Sequence, residues 1–119
     1  VHQFTWIGEM VMTQGLSGIG MHVPPFVMTA GVNRVIGLNI VGLRRAAALT
    51  DEDRRQIKQA FQLAYRSDLP RAKALTEMDA CKDWGPAAAG FRGFIRRVYE
   101  AVKPHNRGLC PAGERGERD

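Results

Sequence analysis

Val1-His2-Gln3-Phe4-Thr5-Trp6-Ile7-Gly8-Glu9-Met10-Val11-Met12-Thr13-Gln14-Gly15-Leu16-Ser17-Gly18-Ile19-Gly20-Met21-His22-Val23-Pro24-Pro25 carries a six-residue beat. Val1, Ile7, Ile19 and Pro25 share one register with Thr13 between them, and the small or branched Thr5, Val11, Ser17 and Val23 stand two places before the next mark. Glycine follows the mark at Ile7-Gly8 and Ile19-Gly20. A repeat this short signals a parallel β-solenoid, whose coils cannot bury their apolar edges alone and must stack on neighbours. The rhythm fades after barely two coils, and the chain starts in mid-beat without an initiator Met. The segment therefore reads as the tail of something larger, through truncation, processing or an incomplete sequence. A lone coil is not expected to fold by itself.

Downstream of the beat, Pro24-Pro25 cannot sit in a helix and suits the exit of a coil, and Gly31 to Gly37 reads as a crossing loop. Helical patterns follow. A short segment from Asn39 carries Leu43, Arg44 and Arg45, and the next helix starts at Thr50, whose hydroxyl can cap while Asp51, Glu52 and Asp53 put acids on the first turn. Ile57, Phe61 and Ala64 give that helix one apolar face. A third helix runs from about Pro70 to Cys81, with Ala74, Leu75, Met78 and Cys81 aligned, and Gly85-Pro86 separates it from a fourth. In the fourth, Phe91, Phe94, Ile95, Val98 and Val102 form the buried stripe, and Trp84 is core by default. The division expected is terminal β-helix coils over 1–34, an α-helical domain over 35–110 and a disordered Gly/Glu/Arg tail over 111–119. The fold class is mixed α and β.

The chain has 119 residues, 45% of them hydrophobic, enough for one modest core. No apolar run approaches the roughly 20 residues that cross a bilayer, nor is there a signal-peptide start, so a cytoplasmic protein is expected. Cys81 and Cys110 have no metal-ligand spacing and make no disulfide framework, so they read as buried or inert thiols. The formal charge of +5 is spread over helices and interleaved with acids. It suits a polyanionic small substrate or an acidic protein partner as well as nucleic acid.

Several separated blocks resemble one family. They are Val1-His2-Gln3-Phe4, Gly15-Leu16-Ser17-Gly18, Val23-Pro24-Pro25-Phe26, Gly37-Leu38-Asn39-Ile40-Val41-Gly42-Leu43-Arg44-Arg45, Ala64-Tyr65-Arg66-Ser67 and Arg107-Gly108-Leu109. Together they resemble the C-terminal part of bacterial UDP-N-acetylglucosamine acyltransferases, the first enzymes of lipid A biosynthesis. The resemblance implies a left-handed parallel β-helix with a helical C-terminal domain, assembled as a homotrimer through the β-helix with active sites between subunits. It implies transfer of a 3-hydroxyacyl group from acyl carrier protein to the 3-hydroxyl of UDP-N-acetylglucosamine, with no cofactor, no metal and no nucleic-acid partner. The family's histidine base lies upstream of the position matched by Val1, so no catalytic residue is assigned here and the segment alone is expected to be inactive.

By the same resemblance His2 and Gln3 line the sugar cleft, and Asn39, Arg44 and Arg45 approach the uridine and phosphate. Forked guanidinium donors suit phosphate oxygens. Met12 and Gly15 match the acyl groove, where a side chain in place of glycine would block the distal end. His22 and His105 match no role and are expected to be exposed. This chain departs from the family at Ala46-Ala47, which replace a further basic residue and a glycine, at Val41, where an acid is common, and at Val32-Asn33-Arg34, where an Asn-His pair is common. The rival reading is a non-catalytic basic helical module that docks an acidic protein or nucleic acid. Arg, Trp and Met outside these blocks read as ordinary surface or core.

Overall fold

The computed structural model describes residues 1–113. Its elements are β1 (Met12–Thr13), β2 (Val27–Ala30), β3 (Arg34–Leu38), α1 (Ile40–Arg45), α2 (Asp51–Tyr65), α3 (Arg71–Ala80) and α4 (Pro86–Tyr99). The six-residue beat survives as corners. Phe4, Met10 and Leu16 adopt left-handed backbone, with φ of 66°, 55° and 61°. A side chain in that region costs about 1–2 kcal/mol, so each corner needs bonds that hold it. Backbone bonds between coils contribute. The His2 N–H donates to the Ile19 carbonyl at 2.8 Å, Gly8 to Val23 at 2.8 Å, Val23 to Trp6 at 3.0 Å and Gln14 to Thr29 at 3.0 Å.

Stacking is tighter than the beat predicts. Three beats would set Ile7 against Pro25, but Ile7 bridges Val23, Met12 pairs with Met28 and Gly18 bridges Val32, all parallel. The 16-residue step is already complete between Ile7 and Val23, so the shortening lies before the left-handed corner at Phe26 (φ 70°), which follows the Met10 corner by the same step. Pro24 and Pro25, with φ fixed near that of extended chain, feed directly into it. Gly8 is required by the same close approach, since a Cβ there would stand 2.3 Å from the Pro25 nitrogen and 2.6 Å from its Cα.

The expected crossing loop at Gly31–Gly37 is instead a reversal followed by a strand. Gly31 (φ 59°) and Asn33 (φ 54°) supply the left-handed residues of the turn, and β3 returns antiparallel to β2 with Val27 opposite Leu38 and Ala30 opposite Arg34. Val35 and Ile36 are β-branched, which favours the strand. The boundary expected between 34 and 35 thus falls inside β3.

The end of the chain also differs from expectation. Leu109 bridges His22 in parallel and Ala112 bridges Val35, with Val35 donating to the Pro111 carbonyl at 2.9 Å and Gly113 to the Val35 carbonyl at 3.0 Å. Residues 111–113 are therefore paired rather than disordered, because buried Leu109 and Cys110 anchor them to a strand edge that would otherwise be open. Residues 114–119, the rest of the expected tail, lie outside the described residues.

The helices follow their sequence signals closely. Thr50 and Asp53 form a reciprocal capping box on α2, and α4 begins with Gly85 as its cap and Pro86 in its first turn. Ile57, Phe61, Met78, Phe91, Ile95 and Val98 meet Phe26, Val27 and Leu109 in a single core, which joins the helices to the coils. Phe94 is half-buried and Val102 is 75% exposed beyond the end of α4, contrary to the expected stripe. Pro104 cannot continue the helix and disfavours helical backbone in the residue before it. No helix among the described residues is long and apolar enough to cross a membrane.

Candidate functional site

His2 and Gln3 are exposed on the first coil, immediately before the Phe4 corner. The His2 Nδ1 lies 2.7 Å from the Gln3 carbonyl, a bond in which the ring nitrogen donates. Behind this pair lies a cluster that the sequence did not reveal. His22, expected on the surface, is fully buried. Its Nδ1 accepts the Trp6 backbone N–H at 2.9 Å, so the proton sits on Nε2, which donates to the His105 carbonyl at 2.6 Å. His105 is half-buried, and its Nδ1 donates to the Phe4 carbonyl at 3.2 Å. Both imidazoles stack on Trp6, with ring centroids at 4.5 and 4.8 Å, and the Arg97 guanidinium of α4 lies 4.0 Å from a Trp6 ring centroid.

The second set of candidates stands at the next corner. Asn39 is buried and caps α1 by accepting from the Gly42 N–H at 3.1 Å, while its amide donates to the Met10 carbonyl at 3.0 Å. Its side chain is thus committed to fastening α1 to the Met10 corner. The glycine in the Asn-Ile-Val-Gly run has a physical reason: a Cβ on Gly42 would lie 2.4 Å from the Asn39 Nδ2. Arg44 and Arg45 are exposed in the last turn of α1.

Arg44 lines a groove of about 260 Å³ together with Leu38, Ile40, Arg54, Arg55 and Lys58. Arg54 is occupied with structure, donating to the Leu43 carbonyl at 2.8 Å, the Ala46 carbonyl at 3.1 Å and Asp51 at 3.1 Å. Arg55 pairs with Glu52, and that bond, helped by the Gln56 amide, holds the Glu52 carboxyl down to about 2. Arg44 and Lys58 make no ion pair among the described residues. The groove has an apolar floor and a cationic rim, a combination suited to an amphipathic anion.

Met12 and Gly15 lie between the Met10 and Leu16 corners, both exposed. Apart from its two neighbours in sequence, no described residue lies within 4 Å of a Cβ built on Gly15, so a side chain there would project away from this coil. The sugar and acyl candidates thus occupy successive sectors of the first coil, while the phosphate candidates stand on α1, which Asn39 ties to the Met10 corner between them. Among the described residues, the groove that Arg44 lines holds none of His2, Gln3, Met12 and Gly15.

The family model described as UDP N-acetylglucosamine O-acyltransferase, domain 2, matches residues 22–110. The chain belongs to that family. Curated relatives named acyl-(acyl-carrier-protein) UDP-N-acetylglucosamine O-acyltransferase include one from Synechocystis, 47% identical over 79 residues, covering 66% of this chain and 28% of the relative. One from Anaeromyxobacter strain Fw109-5 is 41% identical over 102 residues, covering 85% of this chain and 39% of the relative. The chain therefore spans well under half the length of the curated relatives it matches. Among solved structures, the Arabidopsis UDP-N-acetylglucosamine acyltransferase superposes with a TM-score of 0.75 at 27% identity over 92% of this chain and 39% of that one. The Bacteroides fragilis acyltransferase does so with 0.73 at 28% over 91% and 40%. The fold is thus that of the acyltransferase left-handed β-helix followed by its helical domain.

The sequence placed Asn39–Arg45 correctly on a short helical segment but did not show the Asn39 cap, and it left two further features hidden. Arg54, Arg55 and Lys58 line one groove with Arg44 only because the first turns of α2 return to the end of α1, where Arg54 bonds the Leu43 and Ala46 carbonyls. Trp6, His22 and His105 lie 16 and 83 residues apart along the chain, and no local pattern links them.

Proposed function

We propose that this chain is the C-terminal portion of an acyltransferase that moves a 3-hydroxyacyl group from acyl carrier protein to the 3-hydroxyl of UDP-N-acetylglucosamine. In that reaction a base takes the sugar hydroxyl proton, the oxygen attacks the thioester carbonyl, and the C–S bond breaks to release the carrier thiol. This segment contributes binding. His2 and Gln3 hydrogen-bond the sugar, and Arg44 and Arg45 meet the uridine and phosphate portion from an α1 held in place by Asn39. Met12 and Gly15 border the acyl chain. A homotrimer of β-helices unites sectors of neighbouring subunits in one cleft, which accounts for their separation within a single chain.

The observation that carries the reading is the family match over residues 22–110, joined to a capped α1 that presents Arg44 to the groove and leaves Arg45 exposed next to it in sequence. The rival basic module draws less support, because Arg54, Arg55, Arg92 and Arg96 are each engaged with acids. A direct test joins the upstream part of the Synechocystis relative to this chain and supplies 3-hydroxyacyl carrier protein with UDP-N-acetylglucosamine. The expected product is the 3-O-acylated sugar nucleotide. An assembled protein that binds neither substrate would overturn the reading.

A further inference from the structure

We propose that His105 is a positioning residue for the nucleotide sugar, acting through a clamp of two imidazoles on Trp6 that fixes the Phe4 corner and with it the direction of His2 and Gln3. This rests on the reading of His2 and Gln3 as sugar contacts. The argument begins with Phe4, a bulky residue held at φ 66° and 44% exposed. Left-handed backbone at such a residue persists only where the surroundings over-determine it. Here three segments distant in sequence converge to do so.

His105 donates to the Phe4 carbonyl from the C-terminal segment, and His22 of the second coil accepts the Trp6 N–H two residues further on. The two histidines are themselves joined, His22 Nε2 to the His105 carbonyl. Their rings lie within 21° of parallel to the indole, and the His105 ring meets the Phe4 ring edge-on at 5.9 Å. The carbonyl of Phe4 can only accept, so His105 carries its proton on Nδ1 in this arrangement. The other corners are held differently: Met10 has one side-chain bond, from Asn39, and the Leu16 side chain stands fully in solvent. Of the three corners of the first coil, the reinforced one is thus that adjoining His2 and Gln3. Because Phe4 directly follows Gln3, a change in its φ would swing both candidate contacts as a unit.

The test compares two substitutions in the joined Synechocystis chimera, using UDP-N-acetylglucosamine as the varied substrate. His105→Phe keeps a ring on Trp6 but removes the donor; His105→Asn removes the ring but keeps an amide N–H at the place of Nδ1. One lost hydrogen bond corresponds to about 2- to 10-fold in affinity, so His105→Phe should raise KM by that factor with kcat altered less than about twofold. His105→Asn should stay near wild type in KM. Equal damage by both, or a fall in kcat and melting temperature without a KM effect, would overturn the clamp. Should His105→Phe fail to fold, the Asn variant decides, since it must retain wild-type KM. His2→Ala separates the underlying reading. If it raises KM while His105→Phe does not, the clamp fails and the sugar contact stands; if it leaves KM unchanged, the contact itself fails.

Discussion

Arg45 and Arg44 are neighbours on α1 with unequal surroundings. Arg44 shares its groove with Lys58 and Arg55, so other cations remain if it is removed, whereas Arg45 is not among the groove's lining residues. In the complete enzyme, Arg45→Ala should weaken UDP-N-acetylglucosamine binding by about 1.5–3 kcal/mol, the worth of hydrogen bonds to a charged group, and Arg44→Ala by less. Calorimetric titration checks both, with unchanged affinity returning Arg45 to the solvated surface. Gly15 makes a second test at this scale. None of the described residues would obstruct a side chain there, so Gly15→Met should leave the fold intact while shortening the acyl chain preferred. Each buried methylene contributes about 0.8 kcal/mol, so four lost carbons leave ample room for a switch from fourteen- to ten-carbon donors. Competing the two donors reads it directly, and a wild-type preference for ten carbons would assign groove closure to Met12 or Leu16.

Among the elements, α1 depends most on a single geometry. It has six residues, too few to persist by propensity, and is held by the Asn39 cap and by Arg54 on its last carbonyls. Gly42→Ala places a methyl where the cap amide sits and should cost about 0.5–2 kcal/mol through loss of that cap. Because the cap also ties α1 to the Met10 corner, the same variant should lose nucleotide affinity as Arg45→Ala does. Denaturant melts together with titration test the link, which fails if affinity is preserved while stability falls. The α2 capping box and the Pro86 start of α4 were legible because a cap is a local event, complete within four residues. The β3 strand was not, since Gly31-Val32-Asn33 reads equally as a loop or a tight reversal until β2 offers an edge for pairing.

For the whole molecule, the histidines decide what the chain can do alone. His22 has both ring nitrogens bonded inside the core, and His105 spends Nδ1 on the Phe4 carbonyl. General-base transfer needs a nitrogen within hydrogen-bond reach of the substrate proton, and only His2 is exposed. Under the proposed function His2 contacts sugar, so the 119-residue chain by itself should show no transfer above background with acyl carrier protein donor and UDP-N-acetylglucosamine. Product formation in a radiolabelled-donor assay would contradict this. Burial has a second consequence. It pushes the Cys110 thiol up to about 11, while Cys81 is half-exposed, so the reading of the cysteines as inert thiols holds more firmly for Cys110.

By itself the sequence determined what short-range rules control: the solenoid beat, the helix starts at Asn39, Thr50 and Pro86, and the paired arginines on a basic segment. These depend on residues a few places apart, whose spacing is written directly in the chain. Tertiary structure alone decided the shortened stacking step, because Gly8 must lie against Pro25 before the register is set. It likewise decided the return of Leu109–Gly113 to the solenoid edge and the burial of His22. The polar side chain of His22 is tolerated in the core only because a backbone N–H from one coil and a carbonyl from the chain's last segment meet its two nitrogens.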